Sequence, residues 1–473
     1  MPATILISQS PNTPFDMAYG PNPVTLTGIT SNEDKYVLRV FAWGGASPIA
    51  DIRQTPNKYG KAIFDLQNIL QSNVAPPDYN IDNLGVGPGN PNSMRNSSTE
   101  RFAYTLAVGY EAGGNVTLMP APYGPYTVYG GSKKYFEVPF YAQAYQGKVS
   151  NNAGCTQVDR VGKAFTDVAW LTGPAETGDD IQSYVTINQN IATRNVYSDD
   201  LTTVSWYQKL ERASGVNNNV RGIEAWRFFW VNGDSVTGEN VIPNTTGYSG
   251  GPNATIGDGF GIPNTLEAIT LATGPFNLPG NTTIPAGTTH YYVVPVAWTP
   301  AGCTVPLSVV PLDNQEVCQV QRFNIVDAQC NDFEHMQFSW LNSLGFKDYF
   351  TFTKRVDHQT TTQRNNFLKE AADYNSQSWS VNEGQRGFTT YSSKIEDTYT
   401  VTSNWMNDDE AKLMQSLFQS PDVRVRMADE DPLVWKPINI LSSSYDQKTT
   451  RKDKLFQYTV RFKIAHNIQS QRG

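Results

Sequence analysis

FSWLNSLGFKDYFTF, residues 338–352, sets strand-forming rings on both sides of a break. Phe338 and Trp340 come before Asn342 to Gly345, and Tyr349, Phe350 and Phe352 come after it. Aromatic rings suit a pleated surface, while Asn and Gly tolerate the positive φ that a tight reversal demands. The stretch therefore reads as a β-hairpin. Trp340 and Phe350 are expected to pack across it into a core, with Asp348 capping the turn or pairing with Lys347 or Arg355. Gly345 and Asn342 are the turn residues on which this reading rests.

The sequence around the hairpin continues the β pattern. In KLFQYTVRFKIAH (454–466), Phe456, Tyr458, Val460, Phe462 and Ile464 alternate with Gln457, Thr459, Arg461 and Lys463. A period of two with one dry face and one wet face is that of an antiparallel sheet covered on one side. VRVRM (423–427) and WKPINIL (435–441) read as further strands of the same sheet. Between hairpin and strands, SNWMNDDEAKLMQSLFQSPDV (403–423) predicts one helix near 407–419. Asn407 or Asp408 caps it, acidic residues fill its first turn, Leu413, Met414, Leu417 and Phe418 form its apolar face, and Pro421 stops it.

Upstream, KYVLRVFAW (35–43) and RFAYTLAVGYEA (101–112) are strand patterns, and KYGKAIFDLQNILQ (58–71) passes from a strand into a short helix through Leu66, Ile69 and Leu70. TVSWYQKL (203–210), IEAWRFFWVNG (223–233), HYYVVPVAWTP (290–300) and VCQVQRFNIVD (317–327) are strand candidates of a middle region. Two stretches dense in Gly, Asn and Pro, 72–98 and 239–287, read as a long loop and an extended surface insertion. The expected fold is mainly β: tandem β-sandwich, Ig-like domains over 1–150, 151–327 and 328–473, with few short helices and long loop insertions.

Composition agrees. At 473 residues the chain exceeds a single core, and 37 Gly, 29 Pro and only 17% charged residues suit short strands joined by turns. A formal net charge of -8 provides no basic stripe for phosphates, so no nucleic-acid partner is expected, and no apolar run predicts membrane insertion. MPATILISQSPNTPF has neither the basic start nor the apolar length of a secretory signal, so a soluble protein made in a cytoplasm and not exported by the standard route is expected.

Residues that could carry chemistry are sparse. Cys155, Cys303, Cys318 and Cys330 are too scattered for a disulfide framework; Cys318 and Cys330 alone are close enough in sequence to leave a bridge or metal clip open. Zinc is not expected, because no CxxC pair occurs and His335 and His358 have the wrong spacing. His290 and His466 lie at strand ends, where a structural role is the ordinary one. GVGPG (85–89) and GDGFG (257–261) lack the strand-to-helix context of a dinucleotide loop, and no GxSxG elbow is present. Asp179 with Asp180, Asp199 with Asp200, and Asp429 with Glu430 and Asp431 are the pairings available for glycoside hydrolysis or Ca²⁺, though each sits among turn formers. Asn96, Asn115, Asn244, Asn253 and Asn281 stand in N-x-[ST] contexts that an Asn- and Thr-rich chain produces by chance. The chain is expected to be no enzyme, with no cofactor and no metal. Ten Trp and 24 Tyr supply rings for interfaces as well as cores.

FSWLNSLGFKDYFTFTKRVDHQTTTQRNNF (338–367) resembles the segment "W-L-N, Gly, Asp-x-F-x-F" of large structural proteins of tailed bacteriophages, notably crAss-like and other Bacteroidetes-infecting phages. KYGKAIFDLQNIL is similar to their G-x-x-x-F-D strand-to-helix step, and TSNWMNDDEAKLMQSLFQSPDVRVR with the closing KLFQYTVRFKIAHNIQSQRG resembles their helix and final strand. The resemblance implies a virion component of tail, baseplate or neck, made in the host bacterial cytoplasm and present as a ring of copies that joins other virion proteins. It carries no catalytic residue. The alternative expectation is a receptor- or glycan-binding surface protein whose exposed Trp and Tyr stack on sugars.

Overall fold

The computed structural model describes residues 4–11, 16–29, 34–75, 94–96, 101–132, 145–148, 159–162, 192–209, 211–212, 220–221, 225–243, 266–279, 282–296, 321–326, 335–368, 372–375, 377–381, 388–406, 408–427, 434–441, 457–465 and 468–472. The protein is mainly β, built of several sheets, with two helices among the described residues. Its chain divides into two compact units, Met1–Ala328 with Leu341–Asp348, and Gln329–Trp340 with Tyr349–Gly473. Of the 338–352 stretch, residues 341–348 fall in the first unit and 338–340 and 349–352 in the second.

Among the described residues the first unit holds two cores. One draws on a three-stranded sheet, Leu6–Gln9, Pro23–Thr27 and Ala62–Asp65, and on a six-stranded sheet centred on Lys35–Ala42 and Arg101–Ala112. Val24, Leu26, Leu38, Val40, Leu106 and Val108 meet there, each with no exposed surface. The helix Gln67–Gln71 is short, yet Leu66 and Leu70 drop into this core and fix it. The expected strand-to-helix step is therefore present.

The other core is aromatic. Ala192–Val196, Gln321–Ile325, His290–Val296, Ala225–Asn232 and Ser235–Pro243 form a five-stranded sheet in that order, and Thr203–Lys209, Leu266–Ala272 and Met94–Asn96 form a three-stranded one. Trp206, Trp226, Phe228, Trp230, Tyr291 and Phe323 fill the interior, with Trp206 and Trp226 rings 6.1 Å apart. Two segments that read as loops contribute here. Leu266–Ala272 lies within the 239–287 insertion and buries Ile269 and Leu271, and Met94–Asn96 lies within 72–98. The Gly, Asn and Pro around them mask strands too short to show a period. Met94–Asn96 also joins the 1–150 region to the 151–327 region, since its partner is Leu266–Ala272.

In the second unit an eight-stranded sheet runs Lys347–Phe352, Met336–Leu341, Val423–Met427, Lys436–Ile440, Thr459–Ile464, Phe388–Thr402 and Val356–Leu368, with Ile468–Arg472 also on Phe388–Thr402. The alternation read in 454–466 is present over 459–462, where Val460 and Phe462 are buried and Thr459 and Arg461 exposed, and fades beyond, where Lys463 and Ile464 are both half-buried. The helix Asp408–Gln419 buries Leu413, Met414 and Leu417 as its spacing predicts. Trp340 is wholly buried, and its indole N–H donates to Ser416 Oγ on that helix at 2.9 Å. Phe338 contacts Phe352 at 4.7 Å and Phe462 at 5.2 Å between ring centres. Phe350 is only half-buried and rests edge-on against Phe352, so it is Phe352 that anchors the returning strand.

Replacing Trp340 by Ala removes a fully buried ring and its anchor to the helix, a loss of about 3–5 kcal/mol. Ser416→Ala keeps the ring and orphans one N–H, about 1–3 kcal/mol. Urea unfolding of the two variants is expected to rank them in that order.

Candidate functional site

The hairpin tip is the most heavily determined site of the described residues. Asn342 N–H donates to Phe346 O at 2.7 Å and Gly345 N–H to Asn342 O at 3.1 Å, the pattern of a three-residue loop closed by a residue in the left-handed region. Gly345 is that residue, at φ +87°. Asn342 works through its side chain: Oδ1 accepts from the N–H groups of Leu344 and Phe346, both at 3.0 Å. Its Nδ2 donates to Asp348 Oδ2 at 3.0 Å.

Asp348 has no exposed surface, and Arg194 Nη2 donates to its Oδ1 at 3.1 Å. Sequence reading offered Lys347 or Arg355 as the cation; Arg355 instead pairs with Asp357 at 2.7 Å on exposed surface. Arg194 lies 154 residues before Asp348, on the parallel strand Ala192–Val196, a separation that no local pattern reveals.

The seat for this tip is the segment after Tyr123–Tyr129. Ser132 N–H donates to Ser343 O at 2.7 Å, and Phe346 sits against Tyr129 with rings 6.0 Å apart. A Cβ on Gly345 would lie 2.5 Å from the carbonyl carbon of Gly130, and one on Gly131 would lie 2.6 Å from that of Leu344. Backbone meets backbone on both sides, so neither position has room for a side chain. Of the five hairpin residues named from sequence, Asn342, Gly345 and Asp348 come together in this latch. Trp340 and Phe350 pack in the second unit.

Other candidates resolve into structural roles or fall elsewhere. Asp200 is buried and its Oδ2 accepts from Tyr197 N–H at 2.8 Å, closing a turn. His358 lies 3.3 Å from Asp397 and stacks on Tyr399 at 4.5 Å. His290 is buried beside Tyr292 and Arg322, with Nδ1 3.0 Å from Thr289 Oγ1. Burial above all, then the Arg322 charge, holds its imidazole down at about 4 against an opposing pull from Asp234. Asp179, Asp180, Asp429, Glu430, Asp431, His466, all four cysteines, GVGPG, GDGFG, Asn244, Asn253 and Asn281 lie outside the described residues. Among the described residues no group of three or more His, Cys, Asp or Glu could hold a metal ion, and no helix is long and apolar enough to cross a membrane.

A second feature is the long ribbon of the second unit. Val356–Leu368, 13 residues, pairs along its whole length with the 15-residue strand Phe388–Thr402, and Val356 alone among its residues is not exposed. Leu368 and Phe388 oppose each other at the far end while 70% and 75% exposed, and Phe367 and Tyr391 meet edge-on nearby.

No family model matches the chain, and no curated protein matches it. Among solved structures, it is similar to one described as "Structural insight into host cell surface retention of a 1.5-MDa bacterial ice-binding adhesin", at 9% identity over 85% of this chain and 93% of that one, with a TM-score of 0.18. It is also similar to E. coli alpha-2-macroglobulin in its native conformation, at 8% identity over 97% of this chain and 23% of that one, with a TM-score of 0.14.

Asp348→Ala leaves the Arg194 guanidinium buried beside a cavity and is expected to cost about 3–5 kcal/mol, whereas Asp348→Asn, which keeps an acceptor, costs less. Gly345→Val combines a positive φ with the Gly130 contact and is expected to prevent the tip from seating, read as loss of hydrogen-exchange protection at Ser132. For His290, the unfolded chain takes up a proton near 6.5 and the folded chain only near 4, so stability falls as pH drops through that window. Thermal melts between those limits should show a shallower fall for His290→Gln than for the unaltered chain.

Proposed function

We propose that the protein is a structural subunit of a tailed-bacteriophage virion, a tail, baseplate or neck component that holds copies of itself and other virion proteins in a ring. The observation that carries this reading is the ribbon Val356–Leu368 with Phe388–Thr402. The 13-residue strand exposes polar side chains along nearly its whole length, and the ribbon ends in Leu368 and Phe388, both exposed. An exposed apolar end of this kind gains most when another protein covers it. The 338–367 resemblance to phage structural proteins supplies the class of neighbour. A closed ring needs two different faces of each copy to match, and an arm leaving a sheet provides one such face.

Mass photometry and particle imaging of the full-length chain are expected to show closed rings, alone or with its virion neighbours, and a glycan array should show no binding. A chain that stays monomeric throughout and is missing from purified particles overturns the reading.

A further inference from the structure

The strand Val356–Leu368 ends the sheet of the second unit: Phe388–Thr402 takes one edge, and among the described residues no strand pairs with the other. Its open N–H and C=O groups form a ready template for another strand. Proteins that keep such an edge single guard it with Pro, Lys, a short length or a bulge. Val356–Leu368 contains no Pro, Gly or Lys; its charges, Asp357 and Arg364, lie toward its ends, and its one irregularity falls at Asn365 and Asn366, leaving the central Gln359–Gln363 uncharged and regular.

The exposed edge also reads the same in both directions. Gln359-Thr360-Thr361-Thr362-Gln363 is a palindrome about Thr361. Two antiparallel edges related by a two-fold axis normal to the sheet keep each side chain on its own face, so paired residues must share parity. Centred on Thr361, that rule puts Thr361 against itself, Thr360 against Thr362, Gln359 against Gln363 and Asp357 against Asn365. Thr–Thr and Gln–Gln pairs are favourable across strands, and Asn and Gln side chains stack well in register. His358 falls opposite Arg364, with Asp397 3.3 Å from the imidazole to offset the charge.

We infer that the free edge of Val356–Leu368 pairs antiparallel with the same strand of a second copy, centred on Thr361, so that one sheet runs through both molecules. This contact goes beyond the ring reading and does not require it. A two-fold contact yields a dimer by itself, or joins two rings back to back.

The test is oxidative cross-linking of full-length variants, with the unaltered chain alongside to account for its four native cysteines. Thr361→Cys is expected to give a covalent dimer, since directly opposed residues lie within disulfide reach. Gln363→Cys alone should not, but a mixture of Gln359→Cys and Gln363→Cys chains should. In sedimentation, Thr361→Lys sets like charges face to face and should weaken self-association about ten-fold or more. Cross-linking of Thr361→Cys no greater than that of Gln363→Cys overturns the pairing, as does a sedimentation profile unchanged by Thr361→Lys. Rings without the 361 cross-link sink this inference and spare the ring; cross-linked dimers that never build rings do the reverse.

Discussion

The buried contact between Arg194 and Asp348 is the constraint on which the hairpin depends. A charge withdrawn from water costs several kcal/mol unless a partner and hydrogen bonds compensate, and Asp348 obtains both, from Arg194 at 3.1 Å and from the Asn342 amide at 3.0 Å. Asn342 in turn holds the backbone of Leu344 and Phe346. Ion pair, turn and backbone seat therefore form one cooperative set. Loss of any member leaves polar groups buried without the geometry that made burial tolerable.

Much of this fold was legible in the sequence, for physical reasons that differ by element. The strands at 35–42, 101–112 and 225–232 announce themselves because β-branched and aromatic residues recur between Gly-rich turns. The helix Asp408–Gln419 shows its acidic start, apolar face and terminating Pro421. Gly345 and Asn342 mark the turn, and Asp348 stands out as a carboxylate beside it. Arg194 and the Gly130–Gly131 seat could not be found that way: the only local signals are an Arg among strand formers and a Gly pair after YTVY, and nothing in a single sequence links them to residue 348. Leu266–Ala272 was hidden for a different reason. Its residues 269–272 are all buried, so no alternation of wet and dry positions stands out there against the Gly, Asn and Pro on both sides.

The aromatic core of the first unit and the outer ribbon of the second are built from different chemistry. Near Trp206, Trp226, Trp230 and Tyr291 the sheets meet through large rings, and Arg227 is held on the same sheet by both Glu239 oxygens at 2.6 and 2.7 Å. Along Val356–Leu368, Thr, Gln and Asn predominate, side chains that hydrogen-bond well and bury little. The first arrangement stabilises an isolated molecule. The second gains most from strand-to-strand contact, which a further chain can extend.

The abutting glycines at 345 and 130–131 carry a consequence for divergence within any lineage of this protein. At 345 and 131 an added Cβ would press on main chain, so enlarging either cannot be compensated by trimming a side chain opposite, whereas at 130 it would meet the Val74 side chain at 3.0 Å. Descendants must retain Gly345 and Gly131 together or re-route the whole reversal, so the spot should change rarely, and in a jump when it does.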